Sequence, residues 1–125
     1  VHIGDGLTLL HQAASNNRPD LVSFLCSGGH PLECKTIAGE TPLDQACWKG
    51  SFEAAAKLIE FGADVDTQTN SGFTPLHRCA FYDHHALAKL LCLAGAKRLK
   101  SEDGVTAYEV AVSNENDSIA ALLKP

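Results

Sequence analysis

Residues 72–96 read GFTPLHRCAFYDHHALAKLLCLAGA, and this stretch decides the architecture. Thr74 followed by Pro75 is a helix start: a threonine hydroxyl accepts from free first-turn N–H groups, and proline suits the first helical position. The helix so begun is short and ends near Asp83, a position occupied one period earlier by Gly50. A second helix follows, with Leu87, Leu90 and Leu91 at helical spacing. Gly95 then provides a left-handed terminator. From Ala96 to about Asp103 the chain is polar and turn-like.

The same pattern recurs on both sides. Gly6, Gly39 and Gly72 fall 33 residues apart, Gly104 follows after 32, and each precedes a threonine by two residues. Gly29, Gly62 and Gly95 keep the 33-residue step, so the missing residue lies between Gly95 and Gly104. Two series in register identify a repeat protein. Two short helices cannot bury both apolar faces alone, so stability has to come from repeat–repeat interfaces. Leu58 and Leu90 are expected core positions.

Composition narrows the class. The 125 residues are 45% hydrophobic and 20% charged, ordinary for a soluble globular domain. No apolar run is long enough to span a bilayer, and the first residues carry no leader pattern. A net charge of −5 argues against nucleic acid or an acidic membrane surface as the main partner. Cys26, Cys34, Cys47, Cys79 and Cys92 are odd in number and not closely paired, which reads as free thiols in a reducing compartment. The expected location is intracellular, cytoplasmic or nuclear.

The stretches GETPLDQACWKGSFEAAAKLIEFGADVDTQ (residues 39–68) and GFTPLHRCAFYDHHALAKLLCLAGA resemble the ankyrin repeat family closely. GLTLLHQAASNNRPDLVSFLCSGGHPLEC (residues 6–34) is a looser match, with Leu9 in the proline position. The resemblance implies an all-α solenoid of four stacked helix–turn–helix units with hairpin-like fingers. The repeats are expected at about 3–35, 36–68, 69–100 and 101–124, within a single domain over 1–125. GVTAYEVAVSNENDSIAALLKP (residues 104–125) lacks the proline and the second glycine and reads as a C-terminal cap. Leu9, Leu10, Leu21, Val22 and Leu25 read as an internal repeat, so the domain is expected to be a piece of a longer array or a larger protein.

Enzyme signatures are missing from the sequence: there is no phosphate-cradling glycine loop, no Gly-x-Ser-x-Gly and no metalloprotease His-Glu pattern. Repeat geometry accounts for the glycines. The chain therefore reads as a non-enzyme with no cofactor and no metal. His11 and His77 occupy the Thr-x-Leu-His slot, which the resemblance implies is structural. Cys79, His84 and His85 do not have the spacing of a zinc module. Cys79 is expected in the core, and the two histidines at a solvated helix–helix turn.

Aligning the repeats in columns isolates a candidate site. The two positions after the alanine pair of the first helix are Ser15–Asn16, Trp48–Lys49, Phe81–Tyr82 and Ser113–Asn114. The residues after the finger glycines are Leu7, Glu40, Phe73 and Val105. The resemblance implies that both columns line a concave groove where partners bind. The candidate partner-binding residues are Trp48, Lys49, Phe73, Phe81 and Tyr82, with Glu40 and Arg78 beside them. Aromatics dominate interface energetics because they bury large areas with few rotors to freeze. The competing reading tucks Trp48 and Phe81 between repeats as packing. Asp64 and Asp66 make the second finger acidic, whereas Lys97, Arg98 and Lys100 make the third basic. The expected function is a monomeric module that binds another protein in the groove of repeats two and three, without nucleic acid or membrane insertion. Two alternatives are the targeting domain of a larger enzyme or ubiquitin-ligase adaptor, and a spacer within a longer solenoid.

Overall fold

The computed structural model describes residues 2–3 and 6–124. Residues 4–5 of the expected first repeat, and residues 1 and 125 of the expected domain, lie outside the described residues. Among the described residues eight helices run in four pairs: α1 (Leu9–Ser15) with α2 (Pro19–Ser27), α3 (Pro42–Lys49) with α4 (Phe52–Glu60), α5 (Pro75–Tyr82) with α6 (His85–Leu93), and α7 (Ala107–Ser113) with α8 (Asp117–Leu123). α1, α3, α5 and α7 pack side by side in one layer, and α2, α4, α6 and α8 form the second. The fingers are tight turns. The first carries a small antiparallel pair, β1 (His2–Ile3) with β2 (Leu7–Thr8), in the register His2 to Thr8 and Ile3 to Leu7.

The helix starts form as the threonine column requires. Thr8, Thr41, Thr74 and Thr106 each accept from the backbone N–H three residues on. α3 ends at Gly50 and α5 at Asp83, both left-handed. α4 stops before Gly62, which sits at φ +98°, so no helix runs through it. The close approach of successive fingers explains Gly72. A Cβ there would meet the Glu102 backbone nitrogen at 2.5 Å, and Glu102 N–H donates to the Ser71 carbonyl at 2.8 Å.

Leucines and alanines fill the space between layers: Leu10, Leu43 and Leu76 from the first helices, Leu58, Leu91 and Leu123 from the second. Ala13, Ala46 and Ala80 are also buried, which lets short helices approach closely. All five cysteines are free. Cys47 and Cys79 meet across α3 and α5, and contact with the Cys79 thiol together with burial pushes the Cys47 thiol well above its usual range. Leu90 departs from expectation: it is only partly buried, and Leu91 takes the core position beside it.

Two further sets of side chains tie each repeat to the next. In repeats one and three the histidine of the Thr-x-Leu-His slot spans the junction. His11 Nδ1 accepts from Thr8 N–H at 3.2 Å, which leaves the proton on Nε2 to donate to the Glu40 carbonyl at 2.8 Å. His77 does the same between Thr74 N–H (3.1 Å) and the Val105 carbonyl (2.8 Å). Burial holds both imidazoles below the ordinary histidine range. The second set reaches backward from the start of each second helix: Ser51 Oγ to the Ser15 carbonyl (2.9 Å), His84 Nε2 to the Trp48 carbonyl (3.1 Å) and Asn116 Nδ2 to the Ala80 carbonyl (2.6 Å).

Leu58→Ala should cost about 2–5 kcal/mol through the cavity it leaves in a fully buried position. Leu90→Ala should cost clearly less. Urea titrations of the two variants against the parent chain measure the difference.

Candidate protein-binding groove

The ends of α3 and α5 bring the aromatic column together. Trp48 and Tyr82 lie with ring centroids 6.4 Å apart, and Phe81 meets Tyr82 edge to face at 4.8 Å. Left-handed Gly50 and Asp83 stop each helix directly after these residues, so their side chains stand at a helix end. Phe81 is 54% exposed and Tyr82 40%, unusual for clustered aromatics, whereas Trp48 is half-buried. Phe73 packs edge-on to the His77 ring at 5.5 Å. Phe73, His77, Arg78, Phe81, Tyr82 and Val110 line a cavity of about 170 Å³ at the junction of repeats three and four.

The charged residues of the candidate set are engaged with one another. Arg78 forms an ion pair with Glu40, the two side chains 21% and 15% exposed. Gln45 Nε2 also donates to Glu40 at 3.0 Å. The Arg78 guanidinium lies 5.3 Å from the Trp48 ring centroid, and exposed Lys49 places its Nζ at 5.1 Å. Cations over an indole face are attracted by its quadrupole. Glu40 and Arg78 thus form an internal bridge between repeats two and three.

Beneath this bridge sits Asp44, 1% exposed. Burial pushes its carboxyl up to about 7, against the pull of the Arg78 guanidinium. Among the described residues, the buried side-chain polar atoms with no hydrogen-bond partner are Asp44 Oδ1, Asp44 Oδ2 and Arg78 Nε.

Of the seven residues expected from the sequence, Trp48, Phe81 and Tyr82 form one cluster, with Lys49 on its flank. Phe73 joins it through the cavity wall. The expected single concave patch is uneven in exposure, Trp48 half-buried and Phe81 and Tyr82 exposed. His84 is half-buried: its ring stacks on Tyr82 at 6.3 Å, and a Cβ on Gly50 would strike it at 2.6 Å. The solvated-turn expectation for His84 is thereby corrected, because the missing side chain at position 50 makes room for the ring. His85 is exposed, as a turn residue would be. His77 and Val110 line the cavity without having been expected there. His77 stands one repeat on from Asp44 and Val110 one repeat on from Arg78, so extending the alignment to those two columns finds them.

The helix pairs, finger turns and threonine caps on one period meet their counterpart in known proteins. The family model for ankyrin repeats (3 copies) matches residues 1–69, and that for ankyrin repeats (many copies) matches residues 49–92. This chain belongs to the ankyrin repeat family. The human SH3 and multiple ankyrin repeat domains protein 2 is 33% identical over 121 residues, covering 95% of this chain and 6% of that protein. Mouse Rabankyrin-5 is 32% identical over 132 residues, covering 94% of this chain and 11% of that protein. Human ankyrin repeat and SOCS box protein 16 is 33% identical over 84 residues, covering 67% of this chain and 18% of that protein. The ankyrin chain thus spans a small part of these relatives' length. Ankyrin repeats are generally non-catalytic modules of protein–protein interaction, and the likeness supports that class here. No helix among the described residues is long and apolar enough to cross a membrane.

Uneven exposure in this ankyrin groove predicts uneven costs. Trp48→Ala should destabilise by about 1–3 kcal/mol, because it removes a half-buried ring that touches three neighbours. Phe81→Ala should stay within about 0.5 kcal/mol, as for other exposed side chains. Chemical denaturation followed by circular dichroism separates the two without relying on the tryptophan signal.

Proposed function

We propose that this domain acts as a monomeric protein-recognition module whose partner places an apolar side chain in the cavity beside Phe81 and Tyr82. The cavity itself carries the reading. It is walled by Phe73, Phe81, Tyr82 and Val110, and it opens next to two aromatic rings that remain exposed in the folded chain. Hot spots at interfaces are built in this way, with a desolvated pocket receiving one anchor and a rim excluding water. Trp48 packs beside Tyr82, and exposed Lys49 offers a positive charge to an acidic group on the partner. The net charge of −5 supports protein over nucleic acid as the partner class.

The small share of each relative that the chain covers favours a module carried within a larger protein, where it would deliver partners to other domains. Such a targeting role, in an enzyme or a ubiquitin-ligase adaptor, uses the same groove. The spacer reading is less well supported, because a pure spacer has no use for exposed Phe81 and Tyr82.

Panning a random-peptide library against the folded domain tests the reading. Selected peptides should share a large apolar residue, and Phe81→Ala should weaken them about thirtyfold, equivalent to roughly 2 kcal/mol. The fold should persist in that variant. Peptides that bind the parent and the Phe81→Ala, Tyr82→Ala double variant equally well would move the site elsewhere.

A further inference from the structure

Aligned by column, Asp44 stands where repeats one and three carry His11 and His77. Each histidine donates to the carbonyl of the residue after the next finger glycine, at 2.8 Å in both cases. Those carbonyls accept twice, since Glu40 O also takes Thr36 N–H and Val105 O takes Ser101 N–H. The matching carbonyl between repeats two and three belongs to Phe73, which accepts from Thr69 N–H and has a lone pair left over. An ionised carboxylate cannot donate to it. A protonated one carries an O–H donor, but neither Asp44 oxygen has a hydrogen-bond partner in the structure. Among the described residues, the buried side-chain polar atoms without a partner gather at this one junction, and Arg78 joins it to the aromatic cluster through Glu40 and Trp48.

We propose that Asp44 is a proton switch beneath the groove, its ionisation deciding whether Arg78 rests on Glu40 and Trp48 or turns inward. Neutral Asp44 can stay buried without a counter-charge and leaves Arg78 where the structure has it, on Glu40 and Trp48. Ionised Asp44 has two unpartnered oxygens in a buried site, and a buried anion is tolerated only when paired. Arg78 Nε–H, itself without a partner, then donates to the carboxylate, and the guanidinium lifts off the Trp48 ring. Arg78 also lines the cavity, so its shift reshapes the wall against which a partner side chain would sit. That last consequence rests on the binding reading above; the switch itself does not.

The charges around Asp44 are few. Arg78 comes from α5, Glu40 and Lys35 from the second finger, and Cys47, in contact with the Cys79 thiol of α5, from its own helix. α1 presents His11, held on the Glu40 carbonyl. On α4, Glu53 is taken by Asn17 and Lys57 by Glu60. His77 on α5 is committed to Thr74 and Val105. The carboxyl titrates near 7 because burial outweighs the attraction of Arg78, so both states are populated around neutral pH. Its folded value is raised, so its contribution to stability is complete below the ordinary carboxylate range and is lost as pH rises through about 7. His11 and His77, held low, act in the opposite sense, losing stability as pH falls below the ordinary histidine range.

Trp48 is the sole tryptophan and lies under the moving group, which makes the test local. Two titrations on the intact chain decide it: the Asp44 side-chain carboxyl carbon by NMR, and Trp48 fluorescence in the parent, Asp44→Asn and His84→Gln. The carboxyl should titrate near pH 7. The fluorescence should follow it in the parent and in His84→Gln and lose that transition in Asp44→Asn. In denaturation across the same pH range, the difference between parent and Asp44→Asn isolates Asp44 from the histidines, and it should grow against the parent as pH rises. A carboxyl midpoint near the ordinary value of about 4 overturns the switch, as does a fluorescence transition that survives in Asp44→Asn. If Asp44→Asn does not fold, the carboxyl titration of the parent still decides. A switch that titrates as described in a domain that selects no peptides would stand while the binding reading fell.

Discussion

Helices of seven to nine residues bury too little surface to persist in water alone, so the packing of each helix pair has to be completed by contacts between repeats. The structure is a sequence of three junctions more than a collection of four units. Each junction is closed by apolar contact between like helices and by polar side chains that reach a neighbouring carbonyl, and the second and third also by hydrogen bonds between fingers. One threonine takes part in most of this. Thr74 caps α5 and is held by His77, which in turn grips the next finger. Local helix formation and long-range stacking are thereby made by the same few atoms.

Placed on that frame, the groove is a by-product of where first helices stop. Left-handed residues at 50 and 83 leave the last side chains of α3 and α5 at a helix end, and composition does the rest: serine and asparagine in the outer repeats, aromatics in the central two. Arg78 is the pivot. It pairs with Glu40, covers Trp48, lines the cavity and faces the buried Asp44 carboxyl. Packing of the aromatics and electrostatics of the junction therefore cannot be varied separately.

Much of this was legible in the sequence because register is a one-dimensional property. The glycine and threonine series mark finger, cap and terminator, and helix propensity at each agrees with the fold. The column alignment also put Trp48, Phe81 and Tyr82 together. It could not say how deep each would sit, since Trp48 is covered by Arg78 and Tyr82 from the next repeat while the column beyond Phe81 carries only Ser113. Nor could it foresee that Glu40 and Arg78, 38 residues apart, would neutralise each other. Pairing of long side chains depends on rotamers that no spacing rule contains. Asp44 was a different kind of miss. Its column reads His11, Asp44, His77 and Glu109, and a column that mixes histidine with carboxylates does not say which member is buried without a partner.

The connections across each junction all run from one repeat to its immediate neighbour, and the one-residue deficit falls between Gly95 and Gly104, in a finger and not in a helix. This sets how the chain can change its length over generations. Adding or losing a whole period returns every donor to a carbonyl of the same kind, so growth by duplication preserves the hydrogen-bond pattern intact. A change of one residue inside a helix would rotate its buried face by about 100° and sever the pattern there. Such a change in a finger is absorbed where the backbone already turns, which makes the fingers the places where the stack can drift in size without coming apart.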